Sequence, residues 1–551
     1  MSRAAPIRRG MLAVLALVAV YAAYRGGITR HLDRVAPERH RIYGIPIAVS
    51  KDVYLLDGYV AFQSIARRFV NDKPIDAILS LDLPKSANGE VVVPPEERAE
   101  GLFFVPADDK GDVTFTRVAF RLFGLSLESL YRLYFLLLLG SVVTFIVSFR
   151  KDIERLFIGL AVLLSYYSLL SAFQDGLLPP QVVTFYDARI YGVVAALAVL
   201  HLFFYCVDRE RFSILKGIGA LYQASMIVLA VHVRSANLWT VIALLVGVVV
   251  AGLVKKLRSE RDRQTDELSG ASRRLVVIWP LAVAGFVLSG LLVWERATYH
   301  REYFASHMAH HLFWHNAGLG FALHPKLGKP YGYRTADDAM MNRVAGYLIA
   351  KGDRGRTARI FGNSYSNETG TAEGAKVAVG PFLHSATSDL ELYDETARKV
   401  VLETVETHPL ETAALFLYYK PRYFLAHLLW FTAWEAYDQP FVDQTGHQSP
   451  LFKGRDDTRA RRIYFSPLPW TGLAIFAAGL ALISPARSSR LRAGLLVTLM
   501  LFLWSLLPMI IAYPAPPFMG EPMFYLTVSL YLAIATAWSS IPWRGMQRIG
   551  S

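Results

Sequence analysis

Apolar residues fall into ten runs separated by short polar links and two long polar segments. The runs centre on Met11 to Tyr24, Tyr131 to Phe149, Leu156 to Phe173, Ile190 to Val207, Leu215 to Val233, Leu238 to Val254, Leu275 to Trp294, Trp470 to Ile483, Leu495 to Ala512 and Met523 to Trp538. Crossing a bilayer core takes about 20 apolar residues in a helix, and the shorter runs reach that length with flanking residues. The pattern predicts an all-α polytopic membrane protein with about ten transmembrane helices and two extracytoplasmic loops. The first transmembrane helix covers 1–24, and an outer loop with two interfacial helices covers 25–130. Six helices form a bundle over 131–294, and a large outer loop covers 295–466 as a small, mostly helical or mixed domain. Three C-terminal helices over 467–540 and a cytoplasmic tail over 541–551 complete the chain.

Charge gives these spans a direction. With Arg3, Arg8 and Arg9 in the cytoplasm, the links 150–155, 208–216, 255–274, 484–492 and 544–548 fall on the same side, and all are basic. The alternate short links are poor in Lys and Arg, as the positive-inside rule requires. Both termini are therefore expected in the cytoplasm, with the protein in a bacterial inner membrane. Gly10 to Arg25 also has the basic start, short apolar core and small end residues of a cleavable signal peptide, but an anchoring span is commoner in a chain with many further spans.

Within the first outer loop, Gly58 to Val70 and Val113 to Leu122 have the apolar face of helices lying at a membrane interface. In the second, Ala336 to Ala350 and Tyr393 to Glu406 have helical patterns, whereas the Gly, Ser, Thr and Asn content of Arg354 to Gly374 predicts a loop. Pro409 to Tyr437 carries Tyr418, Tyr419, Tyr423, Trp430, Trp434 and Tyr437, which suits a segment lying along or re-entering the interface.

Composition changes this picture little. The chain has 551 residues, 53% of them hydrophobic, and a net charge of +13. A basic balance can mark a nucleic-acid partner. Here the cations crowd the links between spans, so no nucleic acid is expected. Cys206 is the only cysteine, which excludes an internal disulfide and makes a thiolate metal site very improbable.

Asp57-Gly58-Tyr59 with Ala66-Arg67, and Val118-Ala119-Phe120-Arg121-Leu122-Phe123-Gly124, follow one inner terminus and one span. This arrangement resembles the GT-C superfamily of integral membrane glycosyltransferases over roughly residues 1–150. In that family an acidic residue opens the first outer loop and a Leu-Phe-Gly turn closes it; the tandem Asp-Glu of many members is absent here. Phe313-Trp314-His315-Asn316, Gly318-Leu319-Gly320 and Pro330-Tyr331-Gly332-Tyr333 with Asp337-Asp338 resemble a signature of bacterial membrane proteins of the same layout.

The resemblance implies transfer of a sugar from a polyprenyl-phosphate donor to a glycan or lipid acceptor at the outer face. Asp57, or else Asp52, would be the catalytic base, although an Asp before a helix is also an ordinary cap. Arg117, Arg121, Lys420 and Arg422 are candidates to hold the lipid phosphate, and long basic side chains also snorkel to head groups. Asp109, with Asp108 and Asp112, would face the same site, and His315 would bind phosphate or acceptor. His307, His311 and His315 recur at four-residue spacing, so a helix would put them on one face, as a zinc or other divalent metal site requires. No His-Glu-x-x-His motif accompanies them, which excludes the metalloprotease reading. The competing class is a non-enzymatic transporter or assembly factor for envelope polysaccharide or lipid. Transporters often carry matching halves with broken helices, and no internal repeat is visible.

Overall fold

The computed structural model describes residues 4–34, 127–174, 191–207, 214–233, 238–261, 285–294, 312–328, 331–334, 337–362, 365–367, 374–377, 389–429, 470–483, 489–512 and 516–540, with a few single positions between them. The apolar runs fold as helices: α1 (Ala4–Arg34), α2 (Leu127–Phe149), α3 (Ile153–Gln174), α4 (Tyr191–Val207), α5 (Ile214–Val233) and α6 (Leu238–Arg261). Among the described residues, four stretches are long and apolar enough to cross a membrane: Pro6–Tyr24, Arg132–Phe149, Ile214–Val233 and Ser489–Ile511. Shorter apolar helices occupy Ala195–Val207, Thr240–Ala251, Gly285–Trp294, Gly472–Leu482 and Phe524–Ser540. The chain is thus a helical membrane protein.

Helix α1 belongs to this bundle. Leu12, Ala16, Ala19, Val20 and Ala23 form its buried stripe, and it packs against α3 and α2. Small residues on that stripe let neighbouring backbones approach closely, the usual basis of helix packing in lipid. Phe115 and Ala119, one helical turn apart, are buried in the same core.

One end of the bundle collects charge. Asp152 caps α3 by accepting from the backbone N–H of Glu154 and Arg155 at 3.2 and 3.3 Å. Its other oxygen lies 2.8 Å from an Arg490 guanidinium nitrogen and 3.3 Å from that of Arg155. Arg9 donates to the Lys151 carbonyl at 3.3 Å. Three segments that the charge pattern assigns to one side therefore meet at one end.

A second hydrophobic core gathers residues 312–429. It is built from α7 (Phe313–Leu319), a 3₁₀ turn (Gly320–Leu323), α8 (Asp337–Ala350), α9 (Arg354–Phe361) and α10 (Leu390–Thr407). Helix α10 buries Leu390, Tyr393, Ala397, Val400 and Val401, the three-to-four spacing of an amphipathic helix. Antiparallel strands β1 (Tyr365–Asn367) and β2 (Ala375–Val377) pair Tyr365 with Val377, and the Val377 N–H donates to the Asn342 side chain on α8 at 2.7 Å.

The loop expected over Arg354 to Gly374 is corrected: its start is helix and residues 365–367 form strand β1. Residues 354–361 are helix because the Asp353 carboxylate accepts from Arg356 N–H at 2.9 Å and Thr357, Ile360 and Phe361 face the core. Composition misses such a helix, since its drive is three buried positions and one cap.

Helix α11 (Pro409–Ala414) leads through a π-turn (Leu415–Tyr419) into α12 (Lys420–Leu429). The widened turn accommodates Pro421, which lacks an N–H and whose ring would crowd the preceding turn. Leu410 and Leu417 are 80% and 81% exposed here, an outward apolar surface of the kind expected at an interface. The last helices are α13 (Trp470–Leu482), α14 (Ser489–Ser505), α15 (Leu507–Ile511) and α16 (Pro516–Ser540), with α14 packed on α16.

Candidate functional site

The described residues divide the sequence candidates. Asp52, Asp57, Asp109, Arg117, Arg121, His307 and His311 lie outside them, as do Asp108, Asp112 and His310. His315, Lys420 and Arg422 lie within.

His315 is buried in α7, and its Nδ1 stands 2.6 Å from the Tyr393 hydroxyl on α10. Beside it, Asp394 accepts from the backbone N–H groups of Trp314 and His315 at 2.9 and 3.1 Å. The N–H groups of a first helical turn lack partners within the helix. A carboxylate from a helix far along the chain meets them here, and the local dipole favours its charge. The signature Phe313-Trp314-His315-Asn316 is thus locked onto Tyr393-Asp394, neither of which the sequence singled out. Among the described residues, no group of three His, Cys, Asp or Glu side chains is placed to hold a metal.

Gly320, from the next piece of that signature, meets Lys420. A Cβ on Gly320 would overlap the Ala512 carbonyl oxygen and stand 2.8 Å from Lys420 Nζ, so only glycine lets these three segments meet. Lys420 is 3% exposed and donates to the carbonyls of Ile510 and Ile511 at 2.6 and 2.8 Å. These end α15, where carbonyls lack intrahelical partners and a cation is favoured. The ammonium also sits 4.2 Å from the centre of the Phe416 ring. Burial outweighs this help and pushes the Lys420 pKa down to about 7.

Arg422 faces the other way. It is exposed, donates to the Tyr418 hydroxyl at 3.1 Å and lies over that ring at 5.8 Å. His324, just after the 3₁₀ turn, accepts at Nδ1 from the N–H groups of Lys326 and Leu327 and packs edge-on against Tyr419 at 4.8 Å. Its pKa is lowered, chiefly by burial, with Glu411 pulling the opposite way. Asp338 pairs with Arg334 at 3.5 Å on the surface.

Glu521 is a further partly buried titratable group. It lies near the start of α16, before the apolar stretch Phe524–Ser540. In sequence it has the look of an exposed loop acid. The structure half-buries it, and burial pushes the carboxyl pKa up to about 7, against the opposing effect of a hydrogen bond with Tyr525. The signal available in sequence was the four-residue spacing from Glu521 to Tyr525, which stacks the two on one helix face. Lys420 and Glu521, on separate helices, each titrate near neutral pH, the range in which a side chain can both take and give a proton.

Comparison with known proteins returned no match: no family model, no curated protein and no solved structure resembles the chain.

Proposed function

We propose that the chain is a GT-C-like glycosyltransferase of a bacterial inner membrane, moving a sugar from a polyprenyl-phosphate donor to an envelope glycan or lipid at the outer face. About ten spans hold it, with both termini in the cytoplasm and the 312–429 unit outside. In the reaction, the Asp57 carboxylate takes the acceptor hydroxyl proton while that oxygen bonds to the sugar anomeric carbon. The bond from that carbon to the phosphate oxygen breaks, and the lipid phosphate leaves with the electron pair. Asp52 is the alternative base. Arg117, Arg121 and Arg422 steady the leaving phosphate and Asp109 faces the same site, and the catalysis rests on charge placed where charge develops.

The observation that best supports this reading is the seam where Lys420 meets the ends of Ile510 and Ile511. It joins the unit around the second core to the end of an apolar helix, the setting a substrate with a lipid tail and a polar head needs. The test is sugar transfer by the purified protein in proteoliposomes, using radiolabelled polyprenyl-phosphate sugars. Asp57→Asn should lower turnover at least 100-fold while the protein stays folded. Equal turnover by the variant removes Asp57 as the base, and no transfer by the wild type from any donor of this class removes the function.

A further inference from the structure

The span Ser489–Ile511 meets Lys420 at one end, and at its other end Arg490 reaches the charged turn between α2 and α3. Arg150 and Lys151 are exposed side by side on that turn. The backbone that carries them is held from several sides. The Asp152 N–H donates to the Phe149 carbonyl at 2.8 Å, which closes the turn. Asp152 is itself buried, caps α3, and pairs with Arg490 of α14 and Arg155 of α3. Arg9 of α1 donates to the Lys151 carbonyl, and the Arg155 guanidinium lies over the Phe149 and Phe204 rings at 5.0 and 5.1 Å. Helix α2 is tied in turn to α5 and α4. The Gln223 amide oxygen accepts from Ser141 Oγ at 2.7 Å, and the amide nitrogen lies 3.3 Å from His201 Nδ1.

Three spans stop at this level. Pro6–Tyr24 begins within a turn of Arg9, Arg132–Phe149 ends just before Arg150, and Ser489–Ile511 begins just before Arg490. Lipid phosphates lie at the edge of the hydrocarbon core, where such spans end. From Arg150, exposed Val147, Val143, Leu139 and Leu136 follow at three- and four-residue spacing, so one apolar stripe of α2 runs into the membrane from the cation. Of the acids at the turn, Asp152 is already engaged and Glu154 is half-buried. Topology alone calls for cations between spans, and long basic chains reach head groups from no fixed place. Neither role needs a turn pinned by a buried carboxylate and by guanidiniums of two other helices. A turn fixed in this way lowers the ordering cost of binding. The guest that fits carries a negative phosphate at interface depth and an apolar tail to follow α2. Free phosphate offers only the first.

We propose that this turn is a binding site for one anionic phospholipid, whose phosphate meets Arg150 and Lys151 and whose acyl chain lies along Val147, Val143 and Leu139. The site is independent of sugar transfer. Native mass spectrometry of the full chain tests it, with phosphatidylglycerol, phosphatidylcholine or inorganic phosphate titrated into the detergent micelles. One phosphatidylglycerol should bind at least about 10-fold more tightly than phosphatidylcholine of the same chain length. Arg150→Gln with Lys151→Gln should weaken that binding about 30-fold. Lys255→Gln with Lys256→Gln removes the same charge from another basic link and should change it by less than about twofold. Should the first pair not fold, Lys151→Gln alone should lose about fivefold. Equal losses in the two pairs would mean diffuse attraction and overturn the proposal. So would equal affinity for the two lipids, or inorganic phosphate bound as tightly as phosphatidylglycerol, which would make this a free-anion site.

Discussion

At Lys420 a buried amine is held by two carbonyls and one aromatic face. Its folded pKa, about 7, lies below the ordinary lysine value. The unfolded chain therefore binds the proton more tightly, and folding stability rises with pH between about 7 and the ordinary lysine range; below about 7 the full penalty is present. Relative to Lys420→Met, the wild-type unfolding free energy in detergent should climb from pH 7 to pH 9, by at most about 1.4 kcal/mol per pH unit, and the difference should be flat below pH 7. A flat difference over both ranges would mean that Lys420 keeps an ordinary pKa. The sequence marked Lys420 and Arg422 together as cations in an aromatic setting. Two residues apart on a helix they point to nearly opposite faces, so one is buried and the other exposed. Which of them faces inward depends on where Ile510 and Ile511 lie, and that is fixed 90 residues away.

Helices were the most legible elements. Asp337–Ala350 and Leu390–Thr407 match the stretches that periodicity picked out, within a few residues. Helix α9 escaped because only its cap and three buried positions hold it, and those matter only once the second core exists to receive them. Helix α7 is seven residues long, too short to persist by itself, and Asp394 supplies the cap that Leu312 cannot. Asp394→Ala would leave two N–H groups of its first turn unmet, lowering stability by about 1–3 kcal/mol, whereas Asp394→Asn keeps an acceptor and should lose less. Thermal unfolding of the two variants side by side checks this; equal losses would show that charge, not hydrogen bonding, is what α7 requires.

For the molecule as a whole, hydropathy made the membrane character legible, and the basic links anticipated the meeting of Arg9, Lys151, Asp152 and Arg490 at one end of the bundle. The second core was less legible, because its apolar positions are scattered through a polar stretch and unite only in space. Its side of the membrane rests on the charge pattern and can be measured. Cys206 is the only thiol, so Cys206→Ser with Glu403→Cys places a single one on the half-exposed face of α10. A membrane-impermeant maleimide should label it in cells with an opened outer membrane and an intact inner one; labelling only after lysis would invert the topology.

The Gln223 bridge also bears on how the protein is made. Helices enter the bilayer in chain order, so Ser141 arrives first, His201 second and Gln223 last. Until α5 arrives, the imidazole of α4 meets lipid or the insertion machinery with its Nδ1 unmatched. The bridge among Ser141 of α2, His201 of α4 and Gln223 of α5 is therefore complete only once all three helices are in place.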